Sequence, residues 1–275
     1  MFKFLHAADI HLDSPLLGLD RYEGAPVSEC REAGRRALEN LVRLAVEERV
    51  AFVLIVGDLY DGDWPDYNTG LFAKRRWLCS ATRRSRSTRS GATATPRTGW
   101  TKDLRPLGNV HVLSGPEGRD DRPRRRRGRH PRAELPRSRR DRQPAAGLPG
   151  SAAGPVQHRP LHTGVEGREG HARYAPCALA DLRHHQYDYW ALGHIHKRET
   201  LIDADPIVAF PGNLQGRNIR ETGPKGCLLV TVDDAGRATA ETRWLDVLRW
   251  EVCKVDAAGA ADGEDLLCRF RDRSA

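Results

Sequence analysis

Asp9-Ile10-His11 and His194-Ile195-His196 each place two metal-ligating side chains two residues apart. On a β-strand, successive side chains point to opposite faces, so positions i and i+2 project together from a strand end. Asp58 follows the apolar run Ala51 to Val56 inside Val56-Gly57-Asp58-Leu59-Tyr60-Asp61, and His162 adds another imidazole in Leu161-His162-Thr163. Carboxylates combined with imidazoles suit Mn²⁺, Fe²⁺ or Zn²⁺. Two Asp and four His on short strand-end motifs are the makings of a two-metal centre for phosphoester hydrolysis.

Such motifs need a frame. Phe2 to Ala8 reads as a strand ending at Asp9, and residues 29–48 read as a helix with Leu38, Leu41, Val42 and Ala45 at i, i+3, i+4 and i+7 and Ser28 as N-cap. Ala51 to Val56 has the continuous apolarity of a strand covered on both faces. Strand, helix, strand and then a functional turn is the grammar of an α/β domain with ligands at the carboxyl ends of its strands. Downstream, Tyr187 to Leu192 reads as a strand feeding Gly193-His194, and Ile207 to Phe210 as another, stopped by Pro211-Gly212-Asn213. Cys227 to Val232 is apolar, with Leu228, Leu229 and Val230 as core, and Asp234-Ala235-Gly236 turns it toward a partner near 237–244. These elements define a domain over residues 1–245. Residues 246–275, with a strand around Glu251 to Val255 and a short helix, read as the start of a truncated accessory or cap domain.

The net charge of +8 over 275 residues is local. Residues 74–159 hold 23 of the 45 Lys+Arg and 6 of the 37 Asp+Glu, leaving 22 basic against 31 acidic residues elsewhere. The well-patterned part is therefore acidic, which excludes a wholly basic nucleic-acid-binding surface. The same 86-residue stretch has 9 Leu, Ile, Val and Phe together and 9 Pro, too little apolar surface to offset chain entropy, so it is expected to be disordered. The six cysteines form no Cys-x-x-Cys pair and read as lone thiols in a reducing compartment. Neither a signal peptide nor a membrane-spanning run is evident, and the cytoplasm is the default.

In their order and flanks these motifs resemble the calcineurin-like metallophosphoesterases, and more narrowly the SbcD-like and YhaO-like DNA repair exonucleases. Asp9-Ile10-His11, Gly57-Asp58-Leu59-Tyr60-Asp61, His162 and Gly193-His194-Ile195-His196 match successive family blocks. Ala7 to Leu16 and Phe210-Pro211-Gly212-Asn213-Leu214-Gln215-Gly216-Arg217 are similar to the YhaO-like branch. The resemblance implies a metallophosphoesterase-type β-sandwich flanked by helices. It also implies two Mn-type ions bridged by Asp58, with Asp9, His11 and His196 completing one shell and His162 and His194 serving the other. A DNA substrate and a coiled-coil ATPase partner are implied by the resemblance alone.

One family block, Gly-Asn-His-Asp, is absent between Asp58 and His162. Gly108-Asn109-Val110-His111 has the wrong spacing, and Val110 to Leu113 reads as a strand. The Arg-, Pro-, Ser- and Ala-rich text of residues 73–160 is of the kind that GC-rich coding DNA yields out of frame, which points to a pair of compensated frameshifts or to sequencing errors. No catalytic residue is assigned, because the absent block would supply it, and an impaired activity is expected. Arg217, Arg220 and Lys225 lie in a Gly-rich stretch that reads either as a contact to DNA phosphates or as a solvated loop. Asp61 is read as shaping its loop, His171, His184 and His185 as solvent-facing, and Arg124 to Arg127 as out-of-frame text. The leading reading is a metal-dependent DNA phosphodiesterase. Its rivals are a phosphatase or cyclic-nucleotide phosphodiesterase of the same fold, and a catalytically dead DNA-binding homologue.

Overall fold

The structure is a computed structural model that describes residues 1–14, 16, 19, 23–60, 68–73, 75, 89–93, 110–113, 158–165, 177–184 and 187–274. Strand β1 (Phe2–Ala8) leads through helix α1 (Val27–Glu47) to β2 (Phe52–Val56), β3 (Arg89–Thr93) and β4 (Val110–Leu113). Then come β5 (His158–His162), α2 (Leu179–His184), β6 (Tyr189–Gly193), β7 (Glu199–Ile202), β8 (Ile207–Phe210), β9 (Gly226–Val232), β10 (Ala238–Trp244) and α3 (Gly263–Ser274). Six strands form one sheet in the order β10-β9-β1-β2-β3-β4, and four form a second in the order β5-β6-β8-β7. The expected α/β sandwich is what the chain builds.

Strand alternation sets its layers. Leu5, Ala7, Val53, Ile55 and Leu229 pack with Leu38 and Leu41 of α1. On the other face, Phe4, Ala8, Leu54, Val56, Leu228 and Val230 meet Tyr189, Ala191 and Ile207 of the second sheet. Phe4 and Tyr189 form an edge-to-face pair with centroids 5.3 Å apart at 89°. The outer face of the second sheet, including Trp190, Leu192 and Val208, packs with Leu182 of α2. Truncating a buried leucine such as Leu38 or Leu41 to Ala is worth about 2–5 kcal/mol.

His6 is the polar exception between the sheets, fully buried. Its Nε2 lies 3.1 Å from the carbonyl of Leu192 and its Nδ1 2.9 Å from the hydroxyl of Tyr189. A neutral ring meets both partners if Nε2–H donates to the carbonyl and Nδ1 accepts from the hydroxyl. Burial holds its pKa down at about 3, against the opposing pull of the Leu192 hydrogen bond. An unsatisfied group here would cost about 1–3 kcal/mol, so the pair of bonds fixes β1 against β6.

Four expectations need correction. The composition of residues 74–159 predicts no packed structure, yet residues 89–93 pair in parallel with β2; Val110 to Leu113, read as a strand, is one and pairs with residues 90–93. A parallel ladder is made by main-chain groups, so a strand as poor in large apolar residues as Arg89-Ser90-Gly91-Ala92-Thr93 can join it. Ser28 does not cap α1: Pro26 holds that position without a side-chain bond, and the Ser28 hydroxyl donates to Glu29 at 2.8 Å. Residues 251–255 form no strand, while the downstream helix runs a full 12 residues. Lys225 is buried, as described below.

Among the described residues, Cys30, Cys177 and Cys227 are free and buried, and Cys253 and Cys268 free and exposed; Cys79 lies outside them. Among the described residues no helix is long and apolar enough to cross a membrane. Asp61, His171 and His185, the Arg124 to Arg127 run and the place where Gly-Asn-His-Asp is missing all lie outside the described residues.

Candidate metal centre

Asp9 and His11 stand just past β1, in a turn and not on the strand itself. Both have φ +46°, and His194, just past β6, has φ +98°. The i, i+2 geometry of a strand therefore does not set these pairs; left-handed backbone does. Each such non-glycine residue costs on the order of 1–3 kcal/mol and persists only where its surroundings over-determine it. Here they do. Asp9 N–H donates to Val56 at 3.1 Å, His11 N–H to the Asp58 carbonyl at 3.0 Å, and Leu12 N–H to Leu59 at 2.9 Å. The loops after β1 and β2 thus stay paired beyond the ends of their strands, carrying His11 beside Asp58.

The Asp9 carboxylate, fully buried, ties three loops together. Its Oδ2 accepts the His194 backbone N–H at 2.7 Å, and its Oδ1 accepts the Asp58 N–H at 3.3 Å. The same Oδ1 lies 3.7 Å from His162 Nδ1. His162 ends β5 and pairs in register with Gly193 of β6, which brings it to the same edge as His194. The two rings meet edge-on, with centroids 5.1 Å apart at 78°. On the other side of Asp9, His11 and His196 turn their Nε2 atoms to within 3.2 Å of each other.

Two groups of donor atoms result: Asp9, His11 and His196, and Asp9, Asp58 and His162, each drawn together within 4.8 Å. Five of the six residues expected to bind metal are in these groups. His194 is in neither, and contributes its backbone N–H and its ring contact with His162. The shared carboxylate is that of Asp9, where the resemblance implied Asp58. Gly57 is shaped for this arrangement: with φ +86°, an added Cβ would fall 2.3 Å from both Asp9 Oδ1 and His162 Nδ1. Only a residue without a side chain leaves the donors room to converge. The donor set and the space kept open by Gly57 both fit divalent ions.

Glu221, which the motifs did not single out, stands behind His196. Its Oε1 lies 2.7 Å from His196 Nδ1, and its Oε2 accepts from Asn213 Nδ2 and from the Arg217 backbone N–H, both at 2.8 Å. Arg217 Nη2 adds a fourth contact at 3.2 Å. Burial works against the charge, but the His196, Arg217 N–H and guanidinium contacts outweigh it and hold the carboxylate well below its usual range. The only sequence signal was a lone acid among the Gly, Arg, Asn and Lys residues of 216–225, a stretch that also holds Ile219, Thr222 and Pro224. Carboxylate partners of this sort fix the orientation and tautomer of a ligating histidine.

The same loop is stitched to the chain beyond β10. Gln215 Oε1 accepts from Val247 N–H at 2.8 Å, and its Nε2 donates to the Leu248 carbonyl at 2.6 Å. Trp250 Nε1 donates to the Gly216 carbonyl at 3.2 Å, and Gly223 N–H to the Trp250 carbonyl at 3.0 Å.

The three cations expected to meet DNA separate. Arg220 is exposed. Arg217 folds inward onto Glu221, with its side chain 21% exposed. Lys225 is 8% exposed, and burial lowers its pKa against the pull of Glu221 and Asp246. It belongs to the packing of the loop and not to a phosphate-binding surface. His184 is exposed, as read from the sequence.

The family of calcineurin-like phosphoesterases matches residues 2–82, a span that includes Asp9, His11 and Asp58. The chain is also similar to a protein of Bacillus subtilis (strain 168) named uncharacterized metallophosphoesterase YhaO. The two are 34% identical over 284 residues, covering 98% of this chain and 66% of that protein. The chain carries a calcineurin-like phosphoesterase domain. Domains of this class are phosphoester hydrolases that work with divalent metals. The chain spans about two thirds of the length of its Bacillus relative.

Proposed function

We propose that this chain is a metal-dependent phosphodiesterase acting on DNA, a repair-type exonuclease with a two-metal Mn²⁺ centre. The observation that carries the metal reading is the pair of donor groups sharing Asp9. Divalent ions at such donors supply an activated water near neutral pH and offset charge on a phosphoryl group. Asp9, His11 and His196 would hold one ion, and Asp9, Asp58 and His162 the other. His194 would position Asp9 through its backbone N–H. Arg220, exposed one residue before Glu221, would meet a DNA phosphate.

The DNA substrate rests on the likeness of the flanking motifs to the repair exonucleases and on that exposed arginine. A coiled-coil ATPase partner, a cytoplasmic location and a cap beginning at residue 246 belong to the same reading. Because Gly-Asn-His-Asp is missing from the sequence, turnover is proposed to be weak. Purified protein should hydrolyse bis-p-nitrophenyl phosphate and linear duplex DNA only with Mn²⁺ present. Cleavage of the small ester without DNA would overturn the DNA reading in favour of a phosphatase or cyclic-nucleotide phosphodiesterase. DNA binding without turnover of either would mark a catalytically dead homologue.

A further inference from the structure

His196 Nδ1 has two neighbours that ask opposite things of it. Glu221 Oε1, at 2.7 Å, can be met only by a protonated Nδ1. Arg217 Nη2, at 3.3 Å, can donate only to a bare Nδ1. No single tautomer satisfies both. The carboxylate contact is shorter and charge-assisted, and it prevails. Resting on the metal-centre reading above, the geometry points to Glu221 as a positioning residue that holds His196 as its Nδ1–H tautomer, and to Arg217 as the group that imposes the opposite tautomer once Glu221 is gone.

The consequence lies at the other ring nitrogen. With Nδ1 protonated, Nε2 carries its lone pair toward His11 Nε2, 3.2 Å away, where the donors converge with Asp9. With Nδ1 bare and accepting from Arg217, Nε2 carries a hydrogen into the place a cation would take, and His196 is lost as a ligand. Glu221 is well held for this task. Its side chain is 10% exposed, and Asn213 Nδ2, Arg217 N–H and Arg217 Nη2 pin its two oxygens. Arg217 is thus neutralised by the same carboxylate that orients the ligand, and deleting Glu221 both removes a support and releases a competitor.

The test uses the whole chain and two readouts. Nitrogen chemical shifts of the metal-free protein should show His196 as Nδ1–H in wild type and as Nε2–H in Glu221→Ala. Calorimetry should show Mn²⁺ affinity falling about 10- to 100-fold in Glu221→Ala. The double variant Glu221→Ala/Arg217→Ala should bind Mn²⁺ more tightly than Glu221→Ala alone, because the competing donor has gone. A purely structural role for Glu221 predicts the reverse order. Wild-type affinity in Glu221→Ala, or a double variant no tighter than the single, would overturn the proposal. Should Glu221→Ala fail to fold, Glu221→Gln carries the test: its Oε1 still accepts from Nδ1–H, so His196 should keep its wild-type tautomer, and a shift to Nε2–H would sink the idea. A wild type that binds no Mn²⁺ removes the metal reading itself, while the tautomer of the metal-free chain still reports on Glu221.

Discussion

Asp9 Oδ2 and the His194 backbone N–H, 185 positions apart in the chain, meet in a hydrogen bond of 2.7 Å. That contact joins the first sheet to the second at the edge where the candidate ligands gather. It makes Asp9 the bolt between the halves as well as a candidate metal donor, which separates its place from that of Asp58.

Asp9 belongs to both donor groups and Asp58 to one. Asp9→Asn should abolish both Mn²⁺ binding events in calorimetry and lower turnover at least about 100-fold. Asp58→Asn should leave the His11 and His196 group able to bind. The wild type should show one tight and one weaker event, given the missing family block. Two tight events would contradict that expectation, and equal losses in the two variants would contradict the sharing by Asp9.

Gly57→Ala should be severe for its size. The added methyl would lie 2.3 Å from Asp9 Oδ1 and His162 Nδ1, on a backbone with φ +86°. The left-handed backbone alone should cost about 1–3 kcal/mol in thermal or urea unfolding. Mn²⁺ binding by the Asp9, Asp58 and His162 group should be lost. Unchanged calorimetry in a folded Gly57→Ala protein would refute the close approach.

His6 makes stability depend on acid. Its pKa falls from 6.5 to about 3 on folding, so between these values the unfolded chain binds a proton that the folded chain refuses. Stability from this group is complete above pH 6.5 and declines as the pH falls toward about 3, at about 1.4 kcal/mol per pH unit. Urea midpoints between pH 7 and pH 5 should fall more steeply for wild type than for His6→Gln. Parallel slopes would show that His6 is not buried neutral.

Arg220→Ala and Lys225→Ala should part company on DNA. Arg220 is exposed and Lys225 is 8% exposed. Fluorescence anisotropy on a labelled duplex should show Arg220→Ala binding more weakly, with the salt slope reduced by about 1. Lys225→Ala should leave that slope unchanged and lower the melting temperature instead. A reduced slope in Lys225→Ala would return it to the surface.

The sequence made the strands of the sandwich legible wherever burial imposes pattern. Phe2 to Ala8 and Ile207 to Phe210 are read to the residue, and Cys227 to Val232 nearly so, because their apolar runs are fixed by contact on both faces. Strand β3 was illegible because main-chain pairing leaves no mark in Arg89-Ser90-Gly91-Ala92-Thr93. At the site, the donors announced themselves by type and spacing. What spacing hid was their geometry: φ values of +46° at Asp9 and His11 depend on the neighbouring loop, and the place of Glu221 depends on a turn 25 residues after His196. The burial of Lys225 was equally invisible: the chain that pairs with its carbonyl, at Leu245 and Asp246, comes 20 residues later.

Gln215 and Trp250 fasten residues 247–250 to the turn that ends in Glu221. A pull on the segment leading to α3 would load that seam before it reached any strand. The carboxylate that meets His196 thus sits on a loop whose far side is held by the chain after β10.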